Sequence, residues 1–271
     1  MEVTVLVDNN TYIDQYYLGE PGVSYYLETK DRHILFDTGY SNVFWSNAEK
    51  MGIDLAGVDT LVLSHGHDDH TGGLTTFLEK HPEKFSLVAH PDCLEEKEAE
   101  GLKVCSPIRR LELEGQYGAQ CQTVFTKEPY EITPGLFFLG EIPRTVSFEP
   151  LMQIGYRFPK GEKTSDYVMD DSALVWVKED SLFLITGCSH SGICNMITYA
   201  EKLFPGKKLE GILGGFHLLK TDRRAEETVR FLSKKQIREF YPCHCTCFAV
   251  KAEMYQKLPV KEVGTGMKLT L

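Results

Sequence analysis

The chain opens with short runs crowded with β-branched and aromatic residues: EVTVLV from Glu2, VSYYLET from Val23 and HILFD from His33, with turn residues between them. Such runs predict strands of a hairpin-rich mixed sheet. The period then changes in SNVFWSNAEKMG, which predicts a helix with Ser41 as N-cap and Gly52 as its stop. DTLVLSH returns to a continuous apolar run of strand type. Helix alternating with strand predicts an α/β layer. Between about residues 82 and 160 the pattern weakens to short strands, FSLVAH and GLFFLGEI, among proline, glycine and charge. That region is expected to be an irregular insert or lid within a single domain spanning 1–271.

Regularity resumes in SALVWVKEDSLFLITGCSH, two apolar runs flanking Lys178, Glu179 and Asp180, which predicts an antiparallel pair. Three strand-like runs then end in histidine: LFLITGCSH at His190, LEGILGGFH at His217 and REFYPCH at His244, evenly spaced with helical sequence such as RRAEETVRFLSKKQ between. Ligands of open α/β sheets collect at the carboxyl ends of strands. The three imidazoles are therefore candidates for one rim, and His65, ending its own strand, is a fourth.

Composition narrows the partners. With 271 residues and 42% hydrophobic content the chain can bury a sizeable core. Its 29 basic and 39 acidic residues leave a net charge of -10, which repels phosphate backbones, so nucleic acid is not an expected partner. MEVTVLVDNNTY lacks a basic start and a small-residue cleavage site. No apolar run approaches the roughly 20 residues needed to cross a bilayer. A soluble, cytoplasmic protein with no membrane partner is expected, its cysteines held as thiols or ligands.

The densest chemistry lies in LVLSHGHDDHTGG, where three histidines and two aspartates occupy residues 65–70. Imidazoles and carboxylates packed so closely need a shared partner, and a pair of cations meets that need. In extended backbone His65 and His67 project to one side and can grip one ion. Asp69 and His70, where the chain turns into the helix predicted in TGGLTTFLEKH, are better placed for a second. Nitrogen donors with a carboxylate suit Zn²⁺, Fe or Mn, whereas oxygen cages suit Ca²⁺ or Mg²⁺; two divalent ions are expected, zinc first. His190 and His244 are the best candidates to complete the spheres. Zinc lowers the pKa of bound water from about 15.7 to about 7, so hydroxide held at such a centre would attack an ester, lactone, thioester, amide or phosphodiester. His33, His81 and His90 lack such company and are read as structural. CHCTC offers a rival, a thiolate zinc or iron–sulfur site on Cys243, Cys245 and Cys247. Cys188, after LFLITG, is a further candidate ligand or lining residue.

SHGHDDHTGG, together with the early ILFDTG, resembles the metallo-β-lactamase superfamily. The resemblance implies an αββα sandwich of two mixed β-sheets flanked by helices, with a dinuclear site on one edge. It implies His65, His67 and His190 for the first metal and Asp69, His70 and His244 for the second, with Asp37 supporting the metal-binding loop. Asp69 and His217 are the catalytic candidates. Two departures stand out. Where the family has a histidine before the strand SALVWV, this chain has Asp170 and Asp171; where it has a bridging aspartate, this chain has Cys188. Cys188, Asp37 and Asp171 are thus candidates either for direct ligation or for support of the ligands. GCSHSG, GGFH, CHCT and GEIPRTVSFE resemble one branch, which includes uncharacterised metal-dependent hydrolases and a methanogen enzyme joining a dihydropterin to a ribofuranosyl-aminobenzene phosphate. Arg144 in the last of these motifs, with His217, is a candidate for binding a small-molecule substrate of anionic character.

Three functions follow. The first is a hydrolase using hydroxide at a dinuclear centre. The second is a pterin-type transferase acting on a phosphorylated aromatic acceptor. The third is a non-enzymatic iron–sulfur or redox protein using Cys243, Cys245 and Cys247.

Overall fold

The computed structural model describes residues 1–271. It divides into two compact units: Met1–Thr126 with Gln153–Asp170 and Gly264–Leu271, and Lys127–Met152 with Asp171–Val263.

In the first unit a seven-stranded sheet runs, edge to edge, Lys268–Thr270, Glu2–Val7, Ser24–Glu28, His33–Phe36, Thr60–Val62, Phe85–Ala89 and Cys121–Phe125. Its first three pairings, the last of them His33–Phe36 with Ser24–Glu28, are antiparallel, after which the pairings are parallel. The change of direction falls where the sequence begins to insert helices, because a parallel connection needs a crossover. Leu35, Leu61, Leu63 and Leu87 pack with Phe44, Leu74 and Phe77 in the core. A separate four-stranded antiparallel sheet, Thr164–Asp166, Gly155–Arg157, Lys97–Ala99 and Leu102–Lys103, belongs to the same unit.

The second unit holds a six-stranded sheet ordered Glu239–Cys243, Lys208–Gly215, Ser181–Thr186, Ala173–Val177, Leu136–Phe138 and Tyr130–Thr133. The first three are parallel, linked by the helices Ile193–Leu203 and Arg223–Ser233; the rest are antiparallel. Arg223–Ser233 shows why these crossovers stay put. Ala225, Val229 and Leu232 recur on one face and are buried, and Asp222 caps the helix by accepting from the Ala225 amide at 3.1 Å. Residues 82–160 supply strands to all three sheets.

Two helix boundaries differ from expectation. The first helix is Val43–Met51 and its N-cap is Asn42, not Ser41. Asn42 already has φ −81° and ψ 5°, so the start slides one residue on, while the Ser41 hydroxyl still accepts from the Val43 amide at 3.3 Å. Gly52 is the stop, at φ 71°, a left-handed conformation that glycine adopts without steric cost. The helix predicted in TGGLTTFLEKH is confined to Leu74–Lys80, since Thr71 ends a separate short helix, Asp68–Thr71, and Gly72 and Gly73 stand between the two.

Phe77 is fully buried, its ring 5.0 Å from Phe85 and 4.7 Å from His81. Phe77→Ala is expected to lower unfolding free energy by about 3–5 kcal/mol, read as a fall in the urea midpoint at unchanged slope.

Candidate metal centre

In the first unit the loop after Thr60–Val62 carries the histidine cluster. His67 caps the helix Asp68–Thr71 with its carbonyl, which accepts from the His70 and Thr71 amides at 3.1 and 3.0 Å. This turn sends consecutive side chains to one place: His65 Nε2 lies 3.1 Å from His67 Nδ1, the His65 and His70 rings are 4.3 Å apart, and Asp69 Oδ2 is 3.7 Å from His70 Nε2. Burial, aided by the nearby Lys97 ammonium, pushes the His67 imidazole down to about 4. A neutral imidazole is the form that ligates metal. Two imidazole nitrogens facing each other at hydrogen-bond distance can share only one proton or one cation, so the donor set suits a divalent ion.

Three buried groups hold that loop. Asp37, fully buried, accepts from the Ser64 amide at 2.7 Å, from the Ser64 hydroxyl at 2.6 Å and from His70 Nδ1 at 2.7 Å. Fixing one ring nitrogen leaves the other oriented for a ligand. Asp170 accepts from the Gly66 amide at 2.8 Å and from Lys97 Nζ at 2.5 Å, and Lys97 lies 3.4 Å from Asp166. Gly66 is obligatory: a Cβ there would strike the Cys93 carbonyl oxygen. Burial raises a carboxyl pKa, yet the Lys97 contact outweighs it and holds Asp170 below its ordinary value. Burial likewise opposes the Lys97 charge, and Asp170 with Asp166 overcomes it, raising Lys97. Sequence reading missed Lys97 because it sits in LEEKEAEG, which looks like a solvated charge run.

In the second unit the three adjacent parallel strands deliver their following loops to a common rim. The His190 and His217 rings are 4.1 Å apart and His244 Nε2 is 3.2 Å from Cys188 Sγ. Cys188, His217 and Cys245 place their ligand atoms within 4.8 Å of one another. His217 and His244 both have φ 48° and Ser189 has φ 60°, left-handed values that cost non-glycine residues about 1 kcal/mol or more each. Asp171 braces the His190 loop, accepting from the Ser191 amide at 2.7 Å and hydroxyl at 2.6 Å. Arg144 donates to the His190 carbonyl at 3.2 Å, and its segment is pinned where Asn195 Oδ1 accepts from the Thr145 and Val146 amides at 2.7 and 2.8 Å.

CHCTC does not gather its thiols. Cys243 is buried at its strand end, Cys245 joins Cys188 and His217, and Cys247 is the N-cap of Phe248–Lys257 and packs on the core. Burial would raise the Cys245 thiol, but a hydrogen bond with Cys188 and the imidazoles of His244 and His217 hold it well below the ordinary range. Sequence reading missed this pairing of Cys188 with Cys245, which only strand order creates. His33 and His81 are hydrogen-bonded to Tyr26 and to the Val58 and Glu83 carbonyls, while His90 accepts from the Asp92 amide and acts electrostatically on Asp170.

The family model of the metallo-beta-lactamase superfamily matches residues 18–104. An uncharacterized protein of Methanocaldococcus jannaschii is 30% identical, over 94% of this chain and 94% of its own length. From the same organism, the 7,8-dihydropterin-6-methyl-4-(beta-D-ribofuranosyl)-aminobenzene-5'-phosphate synthase is 29% identical, over 93% of this chain and 89% of that protein. A crystal structure described as a metal-dependent hydrolase of the beta-lactamase superfamily is 27% identical, covers 100% of this chain and 99% of its own, and superposes with a TM-score of 0.84. The chain belongs to the metallo-beta-lactamase superfamily, and its α/β fold is the one that the sequence predicted.

Two outcomes test the braces. Asp37→Ala removes the shared acceptor of three buried donors and is expected to cost about 3 kcal/mol or more of stability and, by loosening His70, about 10–100-fold in metal affinity, measured by denaturation and by metal titration. Lys97→Met strands two buried carboxylates and should cost about 3–5 kcal/mol near neutrality. In the native protein the depressed Asp170 contributes stability above the ordinary carboxylate pKa and loses it as pH falls. Without Lys97, burial raises the folded pKa, so the variant should lose stability as pH rises from about 4 to about 8; a variant whose deficit is constant across that range would contradict this account.

Proposed function

We propose that the chain is a metal-dependent hydrolase of small molecules that uses two divalent ions, zinc in the first place and iron or manganese as alternatives. His65, His67 and His190 would hold one ion, and Asp69, His70 and His244 the other. The observation that carries the reading is the cluster of buried, braced imidazoles in the first unit, one of them neutral by burial. Superfamily membership supports it. When bound, the ions supply Lewis acidity and lower the pKa of water from about 15.7 to about 7.

The chain's own groups do the rest. Asp37 keeps the His70 ring in one orientation by accepting from Nδ1, leaving Nε2 as the donor atom. Asp69, whose side chain is 30% exposed beside that nitrogen, can accept a proton from an attacking water. His217, adjacent to His190, would position the substrate or donate a proton to the leaving group, and Arg144 secures the His190 loop. Cys188 stands where the family has a bridging aspartate and, 3.2 Å from His244, is a candidate ligand in its place. None of the eight cysteines is in a disulfide, and no helix is long and apolar enough to cross a membrane.

A second reading has specific support. The relative named as a synthase aligns over most of both chains, which favours a transferase joining a dihydropterin to a phosphorylated aromatic acceptor.

Metal analysis of the purified protein should find at least one transition metal per chain. Chelation, and separately His67→Ala, should each reduce hydrolysis of a responsive phosphodiester, lactone or thioester by about 100-fold or more. Less than one metal per chain together with full activity in His67→Ala would falsify the reading. A coupled product from a pterin pyrophosphate and a phosphorylated aromatic amine, without hydrolysis, would select the transferase.

A further inference from the structure

Beside His217, within the second unit, lies a pocket of about 560 Å³, a size suited to a small molecule. Phe148, Met152 and Leu218 give it an apolar wall, and Lys220, Arg223 and Arg224 line it with positive charge. The chain as a whole carries -10, so this local excess runs against the background. Asp222 is the acidic residue in the lining, and its carboxylate is engaged in capping the helix Arg223–Ser233. Lys220 approaches it at 3.9 Å. That helix starts at the pocket, and its N-terminal end favours anions. Glu149 acts electrostatically on Arg224 from outside the lining, but both its oxygens are taken by the Cys194 and Asn195 amides at 3.0 and 2.9 Å.

Two nitrogens of the lining residues are buried with no hydrogen-bond partner in the protein: Arg224 Nε and His217 Nδ1. Buried polar groups in folded proteins are nearly always satisfied. A ligand with acceptor oxygens on one end would supply what these groups lack. A single carboxylate brings two oxygens and one charge; a phosphate monoester brings three oxygens and nearly two charges, a better match to three cations.

We propose that this pocket binds a phosphate monoester on a flat apolar body, the phosphate among Lys220, Arg223 and Arg224 and the body against Phe148, Met152 and Leu218. The proposal deepens the readings above by giving a phosphorylated aromatic ligand, already named for the transferase, a binding pocket on this chain, and it rests on them only for what happens to the ligand once bound.

The test is calorimetric titration of the full-length, chelator-treated protein with benzylphosphonate, benzyl alcohol and inorganic phosphate. Benzylphosphonate should bind at least 10-fold more tightly than either control. Arg224→Gln and Arg223→Gln should each weaken it 10-fold or more, while Met152→Ala should narrow its advantage over inorganic phosphate. Thermal melting checks that each variant folds; should Arg224→Gln fail, Lys220→Gln, at a side chain 78% exposed, should still weaken binding about 3-fold. The proposal is overturned if benzylphosphonate binds no more tightly than benzyl alcohol, if inorganic phosphate equals it, or if Arg223→Gln and Lys220→Gln combined leave its affinity unchanged. Binding by metal-depleted protein is independent of turnover. Its failure leaves metal-dependent hydrolysis standing, and failure of hydrolysis leaves the pocket standing.

Discussion

A carboxylate buried away from water must be satisfied by the protein, and Asp37 turns that demand into order. It accepts from the Ser64 amide, the Ser64 hydroxyl and the His70 ring. One carboxylate serves all three, so the strand end, the loop and one imidazole are set together. Without such a brace, the His70 ring would lose the contact that fixes its orientation. Asp170 and Lys97 repeat the principle on the Gly66 side of the loop.

The second unit solves the same problem with backbone geometry. Three adjacent parallel strands release their chains at one sheet edge, and left-handed residues at Ser189, His217 and His244 turn each chain sharply as it leaves. Strain there is tolerated because the sheet beneath, with Leu184, Ile212 and Phe240 buried, leaves little room to relax it. Asp171 and Arg144 then tie down the His190 loop. Carboxylates and strained turns thus do for the two units what metal binding requires in advance: they remove conformational freedom that ligation would otherwise have to remove.

Particular residues show what was legible before any coordinates. The strands around Val5, Leu35, Leu61 and Leu184 announced themselves by continuous apolar runs, and the helix Arg223–Ser233 by the spacing of Ala225, Val229 and Leu232. The density of LVLSHGHDDHTGG pointed to metal chemistry without help from context. Ser41 was placed one residue early because capping preference does not report whether the next residue is already helical. Lys97 escaped notice because a buried lysine is spelled like an exposed one. The CHCTC motif suggested a thiolate cluster, yet neighbouring thiols in a strand and turn project in different directions, and the one that matters, Cys245, finds its partner at Cys188.

By itself, the order of residues determined the α/β alternation, the ligand types and the even placement of His190, His217 and His244, since these depend on local periodicity and on donor chemistry. Tertiary structure alone decided which carboxylate braces which loop, that Lys97 is buried between Asp166 and Asp170, that Cys245 faces Cys188, and that Lys220, Arg223 and Arg224 share a pocket with Phe148. Each of those is a contact between segments far apart in the chain, fixed by strand order and register, and no local pattern of side chains carries that information.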